Sequence, residues 1–281
     1  LKKVREILKE YNFLKIFKSQ IKKIPYIHKK IEEGKSEIIN EIKQEFEEEI
    51  KTLNKVRYLD NEGWKEEQII DEFNKMKDLA TYDFKSGKVS GAVYSNNSKL
   101  DKLLHNIFPY FLKANPLHTN VFPSIRKMEN DIVRIMINLF NGDENVVGSF
   151  TSGGTESILL ACKTYRNLNP QIEKPNIIVS STAHCAFNKA CKYFKIELRM
   201  IECLKDGTFD LHALEKTIDK NTILVVGSAP SYNLGIIDQM EKLSDFCLNK
   251  EIPLHVDCCL GSFLVNFTDL IVDFRLFGVT S

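Results

Sequence analysis

The chain reads as an α/β protein: a mostly parallel sheet flanked by helices, with a helical extension at its N-terminus. Three observations predict this. Short apolar runs alternate with helically spaced ones from about residue 146 to the end. Two glycines mark one strand-to-helix step, in Thr151-Ser152-Gly153-Gly154-Thr155-Glu156-Ser157. An acidic residue closes an otherwise apolar run, Pro253-Leu254-His255-Val256-Asp257.

A chain of 281 residues and 32.4 kDa has room for one large core plus an extension. The expected division is an extension over 1–87 and a large domain over 88–281. A net charge of +1 gives no argument for nucleic acid. Seven cysteines are an odd number, and no Cys-x-x-Cys pair occurs among them. This favours a reducing compartment over a disulfide framework or a zinc site. No run of 18 apolar residues is present. Because the chain starts at Leu1 without a methionine, an upstream segment is expected.

Residues 1–30 carry ten Lys/Arg against two Glu, punctuated by Leu8, Leu14, Ile16, Phe17, Ile21 and Ile24. Such a stretch suits an anionic membrane surface, or equally an amphipathic helix packed on the body. From Ile31 to about Glu72 the composition is that of solvated helix. Val89-Ser90-Gly91-Ala92-Val93-Tyr94 is loop-like, and Tyr94 offers a phenol. Asn115-Pro116-Leu117-His118 and Phe122-Pro123 form a rigid loop that carries an amide and an imidazole. Ile125, Met128, Ile132, Ile135 and Leu139 then predict an amphipathic helix over 124–140, ended by Asn141-Gly142.

Val146–Phe150 reads as a strand entering the glycine turn, and Ile158, Leu159, Cys162 and Tyr165 as the helix leaving it. Free N–H groups at that helix start, with the helix dipole behind them, suit a phosphate. An ordinary capped helix is the competing reading. Absence of a following Gly-Lys-Ser/Thr excludes a nucleotide P-loop. Further strands are expected at 176–180, 198–201, 222–226, 253–257 and 274–280, and helices at 186–193, 211–218 and 239–249. In a parallel sheet, ligands collect at the carboxyl ends of the strands. There lie the glycine loop, His184, Ser228-Ala229-Pro230-Ser231-Tyr232 and Asp257.

A carboxylate at the end of a buried strand needs a cation or donors. His255 and Asp257 are too few for a metal site. A capping role is open, but a protonated ring nitrogen is the better partner, worth roughly 4 kcal/mol at about 4 Å before desolvation costs. A phosphate loop, a flat ring at His184 and a carboxylate for a ring nitrogen together describe a cradle for pyridoxal 5'-phosphate.

The run from Val89 to Ser281, about two thirds of the chain, resembles the sphingosine-1-phosphate lyase family. That family belongs to the pyridoxal-phosphate fold-type-I group, which includes the group II amino-acid decarboxylases. The matching stretches are Val89–Tyr94, Asn115–His118, Thr151–Ser157, Ala183–Lys189, Gly235–Asp238 and His255–Phe263. The resemblance implies that Ser152, Gly153, Gly154 and Thr155 hold the cofactor phosphate, that His184 stacks on the ring, and that Asp257 binds its nitrogen. Tyr94, Asn115, His118 and Tyr232 would line the substrate side, with Tyr94, His118, His184 and Tyr232 as catalytic candidates. It further implies a homodimer, a phosphorylated long-chain base as substrate, and cleavage to a long-chain aldehyde and phosphoethanolamine. The expected location is the endoplasmic reticulum membrane, facing the cytosol, with residues 1–30 following an anchor; a cytoplasmic protein is the alternative. Cys258 stands where an alanine commonly packs near the ring, and Ser262 where a glycine does. The family's Schiff-base lysine lies beyond Gly278-Val279-Thr280-Ser281, so residues 1–281 alone are expected to be inactive. A decarboxylase on the same fold and a non-catalytic dimer partner are the rival readings.

Overall fold

The computed structural model describes residues 24–58, 61–77, 79, 83–89 and 95–281. Most of the basic stretch 1–30 and all of the segment 90–94, including Tyr94, lie outside the described residues. The chain divides into two compact units, Leu1–Asn96 and Asn97–Ser281.

In the first unit, α1 spans Pro25–Glu49 and α2 spans Glu66–Lys77. Proline suits the first turn of α1, where its missing N–H has no intrahelical partner anyway. Glu66 and Glu67 open α2 and Lys75 and Lys77 close it, both ends complementing the helix dipole. The buried carboxylate of Glu72 accepts the backbone N–H and side-chain amide of Asn54, at 2.6 and 2.7 Å, which ties the loop after α1 to α2.

The second unit opens with α3, Ser98–Phe111, whose start is capped by the Asn97 side chain. A 3-10 turn, Pro116–His118, precedes α4, Pro123–Leu139. Asn141 rather than Gly142 takes the left-handed position after α4 (φ +56°), while the Gly142 N–H reaches the Ile137 carbonyl at 2.8 Å. From there the alternation holds: α5 Gly154–Leu168, β1 Asn176–Ser180, α6 Ala186–Phe194, β2 Glu197–Ile201, α7 Leu211–Thr217, β3 Thr222–Ser228, α8 Met240–Asn249 and β4 Leu254–Asp257. All pairings are parallel, in the order β2-β1-β3-β4. β1 and β3 are buried along their whole length, so they read as unbroken apolar runs. The pleat divides their side chains. Ile177, Val179, Leu224 and Val226 join Ile158, Cys162, Tyr165 and Phe187 on one face. Ile178 and Val225 join Leu214, Leu243, Cys247 and Leu254 on the other.

Two expected strands differ from expectation. Val146–Phe150 has no strand beside it among the described residues and remains irregular, with Val147 88% exposed. Phe274–Thr280 contributes a single bridge, Val279 to Leu254, although Val256 N–H continues the register to the Ser281 carbonyl at 2.8 Å. Apolar composition makes a segment able to pair, but a strand also needs a neighbour. Among the described residues no helix is long and apolar enough to cross a membrane.

Candidate active site

Parallel strands bring their carboxyl ends to one edge of the sheet, and the chemistry-bearing loops gather there. Asp257 ends β4, His184 follows β1, and the loop 229–237 carrying Tyr232 follows β3. The Ala229 N–H donates to the Asp257 carbonyl at 2.8 Å, joining the two strand ends. The His184 and Tyr232 rings meet edge to face, with centroids 5.1 Å apart.

Burial pushes the Asp257 carboxyl above its ordinary value, opposed by the Cys259 N–H and the nearby His184. That N–H, at 3.3 Å, is a weak donor, so this interior carboxylate keeps acceptor capacity to spare. His184 Nδ1 accepts the Ala186 N–H at 3.1 Å at the start of α6. In the neutral ring the proton therefore sits on Nε2, and the imidazole plane is fixed.

At the glycine loop, α5 begins with Gly153 as its N-cap and no side chain capping it. Its first-turn N–H groups therefore remain available to an anion. A Cβ at Gly153 would meet nothing within 4 Å, and one at Gly154 would lie 3.5 Å from Cys259 Sγ. The helix start thus stands beside the turn that follows Asp257. Ser152 donates its N–H and hydroxyl to the Glu156 carboxylate, at 2.6 and 2.7 Å, which holds that carboxyl below its ordinary value. Thr151 Oγ1 and Ser157 Oγ lie 2.8 Å apart across the same turn. The loop braces itself in this way. Both Ser152 donors are engaged, leaving the N–H groups of Gly154 and Thr155 as the free part of the cup.

Pyridoxal phosphate asks for an anion cup, a flat wall for its ring and an acceptor for its ring nitrogen. The uncapped N-terminus of α5, the fixed imidazole of His184 and the under-partnered carboxylate of Asp257 fit those three needs.

Other expected site residues fall elsewhere. Asn115 caps the 3-10 turn through the Leu117 N–H at 2.8 Å, and His118 is exposed within that turn. Neither has a hydrogen bond or ring contact with His184, Asp257 or Tyr232. Cys258 packs against the core cluster that includes Leu254, and its Sγ donates to the Ala229 carbonyl at 3.0 Å. Cys259 is the thiol beside the glycine helix. Sequence reasoning assigned no role to Asp238, which closes the base of the Tyr232 loop. Its buried carboxylate accepts the N–H groups of Phe209 and Ser228, each at 2.8 Å. The only sequence signal was an acid ending Gly235-Ile236-Ile237-Asp238.

The family model "Aminotransferase class-V" matches residues 116–279. A sphingosine-1-phosphate lyase from Saccharomyces cerevisiae is 41% identical over 261 residues, covering 86% of this chain and 44% of the yeast protein. Sphingosine-1-phosphate lyase 1 of Mus musculus is 36% identical, covering 95% of this chain and 48% of the mouse protein. The chain thus spans about half the length of the relatives it matches. Among solved structures, a sphingosine-1-phosphate lyase from Burkholderia pseudomallei superposes with a TM-score of 0.76 at 29% identity, covering 82% of this chain and 57% of that one. A glutamate decarboxylase from Lactobacillus brevis shares the fold, with a TM-score of 0.67 at 21% identity. The chain belongs to the aminotransferase class-V family of pyridoxal-phosphate-dependent, fold-type-I enzymes, and its relatives include the sphingosine-1-phosphate lyases.

Proposed function

We propose that the protein carrying this chain cleaves phosphorylated sphingoid bases, such as sphinganine 1-phosphate, to a long-chain aldehyde and phosphoethanolamine. The observation that carries the reading is the meeting of Asp257, His184 and Tyr232 beside the uncapped start of α5, in a chain whose relatives are named lyases of this kind. When bound, pyridoxal phosphate supplies an electron sink for the carbon–carbon bond that breaks. The N–H groups of Gly154 and Thr155 hold its phosphate. Asp257 keeps the ring nitrogen protonated, and His184 walls one face of the ring. Tyr232, against His184 and more than half exposed, would take the proton of the substrate's 3-hydroxyl as the bond between carbons 2 and 3 breaks, and a proton is then delivered to carbon 2 of the phosphoethanolamine product. The same reading makes the protein a homodimer at the cytosolic face of the endoplasmic reticulum membrane, with residues 1–30 toward the lipid.

The test is product analysis on the intact protein with pyridoxal phosphate and sphinganine 1-phosphate. Aldehyde release that Asp257→Ala abolishes is the expected result. Carbon dioxide from an amino acid, without aldehyde from the lipid, would overturn the lyase in favour of a decarboxylase.

A further inference from the structure

Beneath the candidate site a chain of side-chain hydrogen bonds joins three segments remote in sequence. The Tyr165 hydroxyl, on the core face of α5, lies 2.6 Å from Thr280 Oγ1 and 2.8 Å from Ser281 Oγ. Ser281 Oγ lies 2.8 Å from His255 Nδ1, and Thr280 Oγ1 donates to the Leu254 carbonyl at 3.1 Å. The backbone of the same segment is paired with β4, since Thr280 N–H reaches the Leu254 carbonyl and Val256 N–H the Ser281 carbonyl. His255 packs edge-on against Phe187 of α6. Burial pushes its imidazole down to about 4, so the ring is neutral near neutral pH. Tyr165 O–H donates to Ser281 Oγ, and a neutral imidazole either accepts from the Ser281 hydroxyl or donates to it at Nδ1, according to its tautomer, so either tautomer completes the chain.

This network sits at the far end of two elements whose near ends form the cradle. Gly154 starts α5 and Tyr165 lies eleven residues along it, about 16 Å at the helical rise. His255 lies two residues before Asp257 on the same side of β4. At the site the start of α5 lies near the turn after β4, where a Cβ built on Gly154 would fall 3.5 Å from Cys259 Sγ, and farther along the helix the Tyr165–Ser281–His255 chain ties α5 to β4. A helix behaves as a rigid rod, so freedom at Tyr165 is transmitted to the anion cup. A cradle that grips one molecule at both ends needs its two grips held to within about 0.5 Å.

We infer that Tyr165 and His255 are positioning residues that fix the distance between the phosphate cup of α5 and the ring-nitrogen carboxylate of β4. This rests on the cofactor reading above. It predicts a specific signature, because pyridoxal phosphate spans both grips, whereas pyridoxal lacks the phosphate and uses the Asp257 end alone.

The experiment measures dissociation constants of both compounds by absorbance titration of the intact apoprotein, with melting temperatures alongside. In Tyr165→Phe, the preference for pyridoxal phosphate over pyridoxal should fall about fivefold, the scale of one buried hydrogen bond, with pyridoxal affinity little changed. His255→Leu should do the same. His255→Gln, which keeps an amide for Ser281 Oγ, should restore most of the preference. If Tyr165→Phe does not fold, the His255→Leu and His255→Gln pair reads the same ratio. An unchanged ratio, or equal weakening of both compounds with a lower melting temperature, would overturn the inference and leave the cofactor site standing. Wild-type protein that takes up neither compound would overturn the cofactor reading, and this inference with it.

Discussion

Asp257 carries a cost that its proposed role explains. Its folded-state pKa is raised by burial above the ordinary 3.8, so the folded protein binds a proton more tightly than the unfolded chain. Stability is therefore lost as pH rises from 3.8 through the raised value, and the cost is fully present above that value. Asp257→Asn should raise the apoprotein's melting temperature at pH 7, and the gain should vanish at pH 3. The same variant should lose cofactor binding, a stability–function trade. A melting temperature unchanged or lowered at pH 7 would show that the carboxylate is better solvated than its burial implies. Asp273 is the opposite case. Burial alone would push it up, but Arg275 and Asn141 hold it below its ordinary value. Arg275 Nε and Nη2 and Asn141 Nδ2 each reach it at 2.9 Å. Arg275→Met leaves that buried carboxylate under-partnered and should cost about 2 kcal/mol in urea unfolding at pH 7. Because the folded pKa is depressed, the cost should shrink as pH falls below 3.8. Asp257 was legible in the sequence because an acid at the end of an apolar run is conspicuous. The Asn141 partner of Asp273 was not, since it lies 132 positions away.

The elements around the site meet without slack where glycines allow it. A Cβ at Gly261 would lie 2.3 Å from the Ala229 carbonyl oxygen and 2.8 Å from Pro230 Cδ, so the turn after β4 packs directly on the loop that carries Tyr232. Gly261→Ala must force the two apart. A loss of about 3 kcal/mol in stability, together with weaker cofactor binding, is the expected result. Gly235, in the same loop, has φ +69° but open space around its Cα. Gly235→Ala should cost only about 1 kcal/mol, from backbone conformation alone, and leave cofactor affinity intact. Thermal melts and cofactor titrations of the two variants decide the point. Equal losses would mean that contact with the Tyr232 loop is irrelevant. Glycines marked the turn at 153–154 in the sequence because two stand together at a strand-to-helix step. Gly261 was visible only as part of a resembling motif, because its reason is a contact with residues more than thirty positions earlier. β1 and β3 were legible as unbroken apolar runs. Val146–Phe150 has the same composition and is not a strand here, because pairing is a property of two segments and composition describes one.

For the whole molecule, the response to acid is set by interior groups of opposite sign. The unfolded chain protonates His255 near 6.5, but the folded protein does so only at about 4. Stability from this group is therefore lost as pH falls from 6.5 to 4. Asp238 and Asp257, raised by burial, act the other way over the range above 3.8: the folded state takes up their protons first and gains stability as pH falls. The acid limb of the wild-type protein is thus a difference between opposing contributions and should be shallow. His255→Gln removes the loss and keeps both gains. Whatever it costs at pH 7 through the Ser281 hydrogen bond, this variant should gain on the wild type steadily between pH 6.5 and 4, in urea midpoints measured on the apoprotein. The composition offered no sign of this, since six histidines in 281 residues do not say which of them is half-buried. The half-burial comes from Phe187 of α6 on one side and Ser281 on the other, which the fold brings together around β4. Parallel pH curves for the two proteins would mean that the imidazole titrates in contact with water, and would remove the neutral ring on which the Tyr165 network depends.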